Sequence, residues 1–522
     1  MMKNKKSRGR IFRYVVIQVI VLLLLVLTFS LMWAQDNYGS IGMDEILFTL
    51  NMPLKGTSDS LLNSYIQNAL IPIIVVFAIE LAVTWPRKNK HFLIFDYKDI
   101  RRLKLQVFPL HIKTPVLCCL FIVWMAVLVM GAESSFGLVD FVKNQRDQSE
   151  LIEQEFVDPK DVDIQFPEKK RNLIYIFIES GESTNQDVAN GGYFDVNYIP
   201  EMTEIAKGNI SFSQSDQIEG AAVAPASGWT MAGLVAETAG LPLKLFKYDD
   251  QTGVDNSMGQ YASFLPGAVT LGDILEDAGY RNYFMAGSDF EFGGRESYFT
   301  QHGSYEVWDY YTAIEEGKIP ADYCEWWGFE DTKLYDYAKE QLLEISKEDT
   351  PFNFSMLTAD THHVAGYVCD LCENAYDDQY GNVWSCASRQ LNDFVEWLKE
   401  QDFYENTTVV ICGDHCSMDP DFYGSFSYDK HHGETGRKVY NAILNSAVEP
   451  MNEKNRKFTT MDMFPTVLAA MGVEIEGDRL NLGTNLFSSE ETLSEKYGYE
   501  DLFEELNKKS SFYNHELLYG ED

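Results

Sequence analysis

The stretch from Tyr14 to Gln35, YVVIQVIVLLLLVLTFSLMWAQ, carries no charged residue. Coiled as a helix it is long enough to cross a hydrocarbon core of about 30 Å. It therefore forces part of the chain out of water. It is too long, and ends in too few small residues, for a cleaved signal peptide. A second apolar stretch, Ile66 to Trp85, is broken only by Glu80, and a third runs from Thr114 to Ala132. Three membrane spans are expected, with an interfacial or buried helix as the competing reading of the second because of its acidic residue. A chain of 522 residues also exceeds what one hydrophobic core organises, so at least one further unit must follow the spans.

Orientation follows from the flanking Lys and Arg. Lys3, Lys5, Lys6, Arg8, Arg10 and Arg13 precede the first span; eight more lie between the second and third, and only Lys55 between the first and second. This pattern predicts the N-terminus inside and everything after the third span outside. Residues 1–134 hold 15 of the 42 basic and 8 of the 79 acidic residues, leaving 27 against 71 downstream, a net −44. So acidic an exterior argues against nucleic acid as a partner, since phosphate backbones are held by Lys and Arg surfaces.

Two cysteines, Cys118 and Cys119, fall in the third span. The other six (Cys324, Cys369, Cys372, Cys386, Cys412, Cys416) lie in the outward part, an even number in a compartment where disulfides persist. Disulfides are the expectation there. A thiolate metal site on Cys369-x-x-Cys372 is the rival reading, weakened by the lack of a second CxxC pair and by oxidation outside the cell.

Residues 135–170 are largely charged or polar and read as an acidic linker. A domain then begins abruptly with NLIYIFIES, Asn172 to Ser180. A continuous β-branched and aromatic run of this kind suits a strand buried on both faces of a parallel sheet. TTVVICGDH, Thr407 to His415, is a second such strand, preceded by a helical segment from Ser388 to Gln401, and PFNFSMLTADTHH reads as a third strand running into a loop. Helices are signalled by LGDILEDAGY and MDMFPTVLAAMG, closed by Gly279 and Gly472. The alternation predicts an α/β domain over 171–490, with 491–522 left as a C-terminal tail and 1–134 as the membrane region.

In open α/β sheets, ligands bind beyond the carboxyl ends of the strands. Three predicted strands deliver Glu179, then Asp360, His362 and His363, then Asp414 and His415 to that edge. Each alone is as well explained by a helix cap or a turn. Together they make a mixed oxygen and nitrogen site for a divalent cation. A nucleophile for such a cation to activate lies in EGAAVAPASGWTMAGLVAETAGLPL, where small residues around Gly228-Trp229-Thr230 allow a sharp turn into a helix. Thr230 then sits at a helix N-terminus suited to anions, although a lone threonine there is commonly just an N-cap.

The ordered set IFIES, SGWTMAG, LGDILEDAGYRNYFMAGSDFEFGGRESYFTQHG, TADTHHVAG, VVICGDHCSM, TTMDMFPTVLAAMG and RLNLGTNLFS resembles the phosphoglycerol transferase and lipoteichoic acid synthase family, a branch of the alkaline phosphatase and sulfatase superfamily. SGWTMAG and DTHH are most similar to the members that decorate periplasmic glucans. The resemblance implies an alkaline phosphatase/sulfatase-like α/β domain, with a mostly parallel central sheet flanked by helices, on the outer face of a bacterial cell membrane. It implies a phosphotransferase in which Glu179, Thr230, Asp414 and His415 are metal ligands and Thr230 is also the nucleophile. The implied metal is one divalent cation, usually Mn2+, with Mg2+ or Zn2+ as alternatives. His362 and Arg295 match the groups that contact the substrate phosphate or glycerol.

The donor implied is phosphatidylglycerol, cleaved through a phospho-threonine intermediate with release of diacylglycerol, and the acceptor a glycan, teichoic acid or glycolipid hydroxyl. Gly293 stands where lipoteichoic acid synthases have an aromatic residue, which points away from polymer synthesis. Sulfatases need a Cys or Ser in a CxPxR-like setting, and APASGWT has none. Competing readings are a phosphoethanolamine transferase or phosphodiesterase of the same superfamily and, further off, a non-catalytic surface-binding protein. Asp360 reads either as a group orienting His362 or as a turn, and His431 and His432 as an exposed loop rather than an acceptor site.

Overall fold

The computed structural model describes residues 2–520 apart from 39–40, 52–58, 87–88, 98–100, 111, 245–262 and 425–435. His431 and His432 lie outside the described residues. The chain divides into two units, Met1–Gly39 with Ser58–Leu138, and Ser40–Thr57 with Val139–Asp522.

Among its described residues the first unit contains three helices long and apolar enough to cross a membrane, Ile11–Tyr38, Leu61–Thr84 and Thr114–Phe136. Their apolar side chains face outward: Ile122 is 68% and Met130 63% exposed, a pattern that lipid tolerates and water does not. Glu80, the lone acid of the second span, accepts a hydrogen bond from Gln18 Nε2 of the first at 3.1 Å, so this polar group is paired within the helical unit. The loop between the second and third spans, informative in sequence only for its charge, forms an antiparallel hairpin of β1 (His91–Tyr97) and β2 (Arg101–Phe108).

The second unit is built on a six-stranded sheet of β3 (Asn172–Ile178), β4 (Arg281–Ala286), β5 (Glu306–Trp308), β6 (Phe352–Leu357), β7 (Thr407–Gly413) and β8 (Asn441–Leu444), in the order β5-β4-β6-β3-β7-β8. All neighbours are parallel except β7 and β8. In β3 the pleat sends Ile174, Ile176 and Ile178 into a core with Leu334, Ala338 and Leu342 of one helix and Trp384, Leu391 and Phe394 of another. Tyr175 and Phe177 point the other way, Phe177 stacking on Phe284 of β4 with centroids 6.1 Å apart. Burial on both faces is why this strand reads as an unbroken apolar run.

Four helices of this unit carry or support the groups of chemical interest: α1 (Met43–Asn51), α2 (Thr230–Ala239), α3 (Asp331–Ile345) and α4 (Gln379–Lys399). The last begins nine residues before the expected Ser388 because Asp378 caps it, accepting from the N–H groups of Tyr380 and Gly381. The stretches expected to be linker and tail also pack onto this unit. Leu151 and Ile152 are buried in a short helix, and Glu155 pairs with Arg479 at 3.2 Å and Lys496 at 2.7 Å. Within 491–522, Leu493–Tyr497 and Tyr499–Asn507 are helical and bury Leu502 and Leu506. The expected disulfides are not formed among the described residues.

Candidate active site

The register Ile178↔Gly413 sets Glu179 and Asp414 side by side where β3 and β7 end. Each is tied down by backbone. Glu179 donates its N–H to Thr358 Oγ1 at 3.0 Å, and the Thr361 hydroxyl donates to its carbonyl at 2.6 Å. Asp414 Oδ1 accepts the N–H groups of Ser180 and His415, both at 2.8 Å. Ser180 holds the left-handed φ of 57°, a conformation that costs a non-glycine residue energy and is common at functional sites. The other carboxylate oxygen, Asp414 Oδ2, is buried and accepts no hydrogen bond. His415 Nδ1 donates to the Cys416 carbonyl at 2.8 Å, which turns Nε2 toward Glu179 Oε1 at 3.3 Å and Asp414 Oδ2 at 3.6 Å.

Thr230 opens α2, with Trp229 extended before it. The helix starts this close to the sheet because Gly233 has no side chain: a Cβ there would lie 2.1 Å from the Asp414 carbonyl oxygen. Thr230 Oγ1 donates to Glu179 Oε2 at 3.2 Å and lies 3.4 Å from His415 Nε2. The first turn of α2 aims backbone N–H groups at the same place, where they favour an anion.

All four groups expected at the site thus converge, and ligand atoms of Glu179, Asp414 and His415 fall within 4.8 Å of one another. Their electrostatics are those of a site short of positive charge. Burial works against ionised Glu179, yet the imidazoles of His362 and His415 hold its carboxyl well below the usual range. Burial and the Glu179 charge push Asp414 up to about 8. His415, despite its burial, is raised to about 10 by the Asp414 and Glu179 carboxylates. Carboxylate and imidazole donors with an Oδ2 that accepts no hydrogen bond fit one divalent cation of the manganese, magnesium or zinc class.

His362 and Arg295 belong to the same electrostatic neighbourhood. The Nδ1 of His362 donates to the His363 carbonyl at 2.6 Å, which leaves Nε2 as its free nitrogen, and burial lowers its pKa against the pull of Glu179. Arg295 is buried; its Nε and Nη2 donate to the carbonyls of Phe292 and Asp289, at 3.0 and 2.6 Å, and to Ser288 Oγ at 3.0 Å. Burial lowers its pKa to about 10, opposed by Glu179 and other carboxylates, so it stays cationic at neutral pH. Asp360 does not orient His362. Its Oδ1 accepts the N–H of Asp331 at 3.1 Å, while Asp331 accepts from Ala359 and Asp360, so the pair organises the turn.

Several contributors carry no sequence signal. The Trp327 ring centroid lies 4.6 Å from that of His362 and 5.5 Å from that of Phe292, making an aromatic wall beside His362. Glu182 is a further buried carboxylate near the strand ends, paired with Arg437 at 2.9 Å. From the short connection between the first two apolar helices, α1 brings Phe48 to 5.5 Å from Trp229 and buries Glu45. Burial pushes Glu45 up to about 8, partly offset by the charge on His415. Only a tertiary contact over such a sequence distance could reveal them.

Residues 171–473 match the sulfatase family. Phosphoglycerol transferase I of Xanthomonas campestris pv. campestris is 31% identical over 307 residues, 58% of this chain and 41% of that protein. Phosphoglycerol transferase I of Citrobacter koseri is 28% identical over 480 residues, 89% of this chain and 55% of that protein. The chain therefore spans about half the length of the curated relatives it matches, or less. A crystal structure of a protein in the alkaline phosphatase superfamily from Vibrio parahaemolyticus aligns at 18% identity and a TM-score of 0.49, covering 66% of this chain and 79% of that one.

Proposed function

This chain belongs to the sulfatase family, and we propose that within it the protein is a phosphotransferase that moves phosphoglycerol from phosphatidylglycerol to an extracytoplasmic glycan or polymer hydroxyl. The reading rests on one observation above all: the Thr230 hydroxyl stands at a helix N-terminus, 3.2 Å from Glu179 and 3.4 Å from His415. The likeness to phosphoglycerol transferases supports the head group, and the three apolar helices support a lipid donor. A catalytic domain tethered beside a bilayer keeps such a donor at high effective concentration.

Glu179, Asp414, His415 and Thr230 would hold the divalent cation. When bound, it supplies Lewis-acid stabilisation and lowers the pKa of a coordinated hydroxyl. Glu179 Oε2, held as a carboxylate, keeps the Thr230 hydroxyl oriented; Oγ1 gives its proton to solvent and attacks the phosphorus in line with the bond to diacylglycerol. The Oγ1–P bond forms as the P–O bond to diacylglycerol breaks. His362 is neutral until an anionic phosphate arrives; the imidazolium then donates from Nε2 to the departing oxygen. Arg295 remains cationic beside the equatorial oxygens and holds them as charge redistributes. An acceptor hydroxyl then attacks the same phosphorus, breaks the Oγ1–P bond and returns a proton to Thr230.

The test is full-length protein in detergent micelles given phosphatidylglycerol and phosphatidylethanolamine in parallel, with diacylglycerol as readout. Diacylglycerol is expected from phosphatidylglycerol, together with a Thr230 peptide heavier by one phosphoglycerol. Thr230→Ala should lower turnover by about 10⁴-fold or more. Release from phosphatidylethanolamine alone would transfer the assignment to the other head group, and undiminished turnover in Thr230→Ala would remove the nucleophile.

A further inference from the structure

Beyond the sheet-end site, three thiols converge at a place that the transfer chemistry does not use. Cys369 and Cys372 stand at the end of the segment that leads from β6 through His362, and Cys386 lies in the second turn of α4. Cys369 Sγ is 3.7 Å from Cys372 Sγ and 3.7 Å from Cys386 Sγ, and all three sulfurs lie within 4.8 Å of one another. The Cys372 N–H donates to the Cys369 carbonyl at 3.0 Å, closing the turn that brings the CxxC sulfurs together. A disulfide would need sulfurs about 2.05 Å apart. Tetrahedral zinc with Zn–S bonds of about 2.3 Å sets its sulfurs about 3.8 Å apart. The observed separations match the second figure and are far from the first.

The surroundings suit thiolates. Cys369 and Cys386 are buried, while Cys372 is partly exposed and gives an ion a way in. Gln390, one turn beyond Cys386 on α4, donates Nε2 toward Cys386 Sγ at 3.4 Å and Cys369 Sγ at 3.7 Å. Such N–H donors around sulfur orient ligands and stabilise the negative charge they carry. Gln390 is itself held by the Thr332 hydroxyl of α3, which donates to its Oε1 at 3.1 Å. The donor set is all sulfur, which selects a soft cation over manganese or magnesium.

We propose that Cys369, Cys372 and Cys386 bind one zinc ion that fastens the His362-bearing segment to α4. On binding, each of the three thiols gives a proton to solvent and forms one S–Zn bond, with water at the fourth position. The ion also shields from oxidation three thiols that sit in an otherwise disulfide-forming compartment. The site is independent of the reading given to Thr230, because none of its ligands takes part in that chemistry.

Full-length protein purified in detergent, incubated with zinc chloride and desalted, tests this by elemental analysis. In an Asp414→Asn background, which weakens the sheet-end site, one zinc per chain should remain. Adding Cys386→Ser should remove it. Thiol labelling followed by mass spectrometry should show Cys369, Cys372 and Cys386 protected until a chelator is added, and cobalt should give a sulfur-to-metal charge-transfer band that the serine variant lacks. If Cys386→Ser fails to fold, Cys372→Ser at the exposed edge replaces it. A disulfide joining any two of the three in the purified protein, equal zinc with and without the substitution, or freely labelled thiols after zinc loading would each overturn the proposal. Loss of activity in Thr230→Ala has no bearing on it.

Discussion

The Glu179–Asp414–His415 cluster and the Cys369–Cys372–Cys386 cluster are both triads whose ligand atoms fall within 4.8 Å, but they are made in different ways. The first grows from the ends of two adjacent parallel strands, so backbone register alone sets its carboxylates side by side. The second is assembled from a turn and a helix, and its geometry depends on how a long connection settles on α4. The first offers hard oxygen and imidazole donors, the second sulfur only, so the two suit different ions. The rigid sheet supplies the group that must not move during chemistry, and the cysteines hold a segment that the sheet itself does not reach.

The largest effect separates the two directly. Asp414→Asn removes a proposed metal-binding carboxylate from the sheet-end site and should cost several kcal/mol of transition-state stabilisation, on the order of 10³-fold in kcat. Cys386→Ser should cost no more than about tenfold, since it acts through the position of His362. Chelation followed by metal return sharpens the same contrast: manganese should restore diacylglycerol release without protecting the three cysteine thiols again. Equal losses in the two variants would mean that the cysteine cluster is part of the reacting centre.

Much of the sheet-end site is legible in sequence because burial on both faces makes β3 and β7 continuous apolar runs, and polar residues at their ends stand out against them. Thr230 is legible for the related reason that a Gly-Trp-Thr turn between small residues announces a helix start. The edges of the sheet are not. β8 has only four residues and runs antiparallel, and β5 has three, too few to display a period. Gly381, Ser385 and Cys386 are weak helix formers, which hides the first turns of α4 and with them the partner of the CxxC pair. Phe48, Glu45 and Trp327 reach the site by long-range packing, for which no local pattern exists.

Arg295 lies between these extremes, recognisable by motif but with a role set by packing. Three hydrogen bonds to its own loop fix the guanidinium near Glu179 and Asp414. Lysine keeps the charge and loses the fork. Arg295→Lys should therefore lower kcat/KM by about 10- to 100-fold (~1.4 to 2.8 kcal/mol) while zinc and manganese contents stay as they were. A loss of bound manganese would instead mean that Arg295 shapes the metal ligands.

The smallest effect probes how far the sheet-end site depends on residues outside the sheet. Phe48 of α1 is buried and its ring lies 5.5 Å from Trp229, the residue immediately before Thr230. Aromatic pairs of this kind contribute about 0.5–1.5 kcal/mol beyond their area. Phe48→Ala should relax the turn that presents Thr230, the proposed nucleophile, and reduce kcat by about 3- to 10-fold, whereas Phe48→Leu, which keeps the apolar contact, should recover part of the loss. Because this ring contact is with Trp229, outside the cysteine cluster, zinc content should not change. If Phe48→Ala lowers zinc retention as much as it lowers kcat, the two clusters are coupled through the domain and the distinction between a strand-built site and a loop-built one does not hold for this protein.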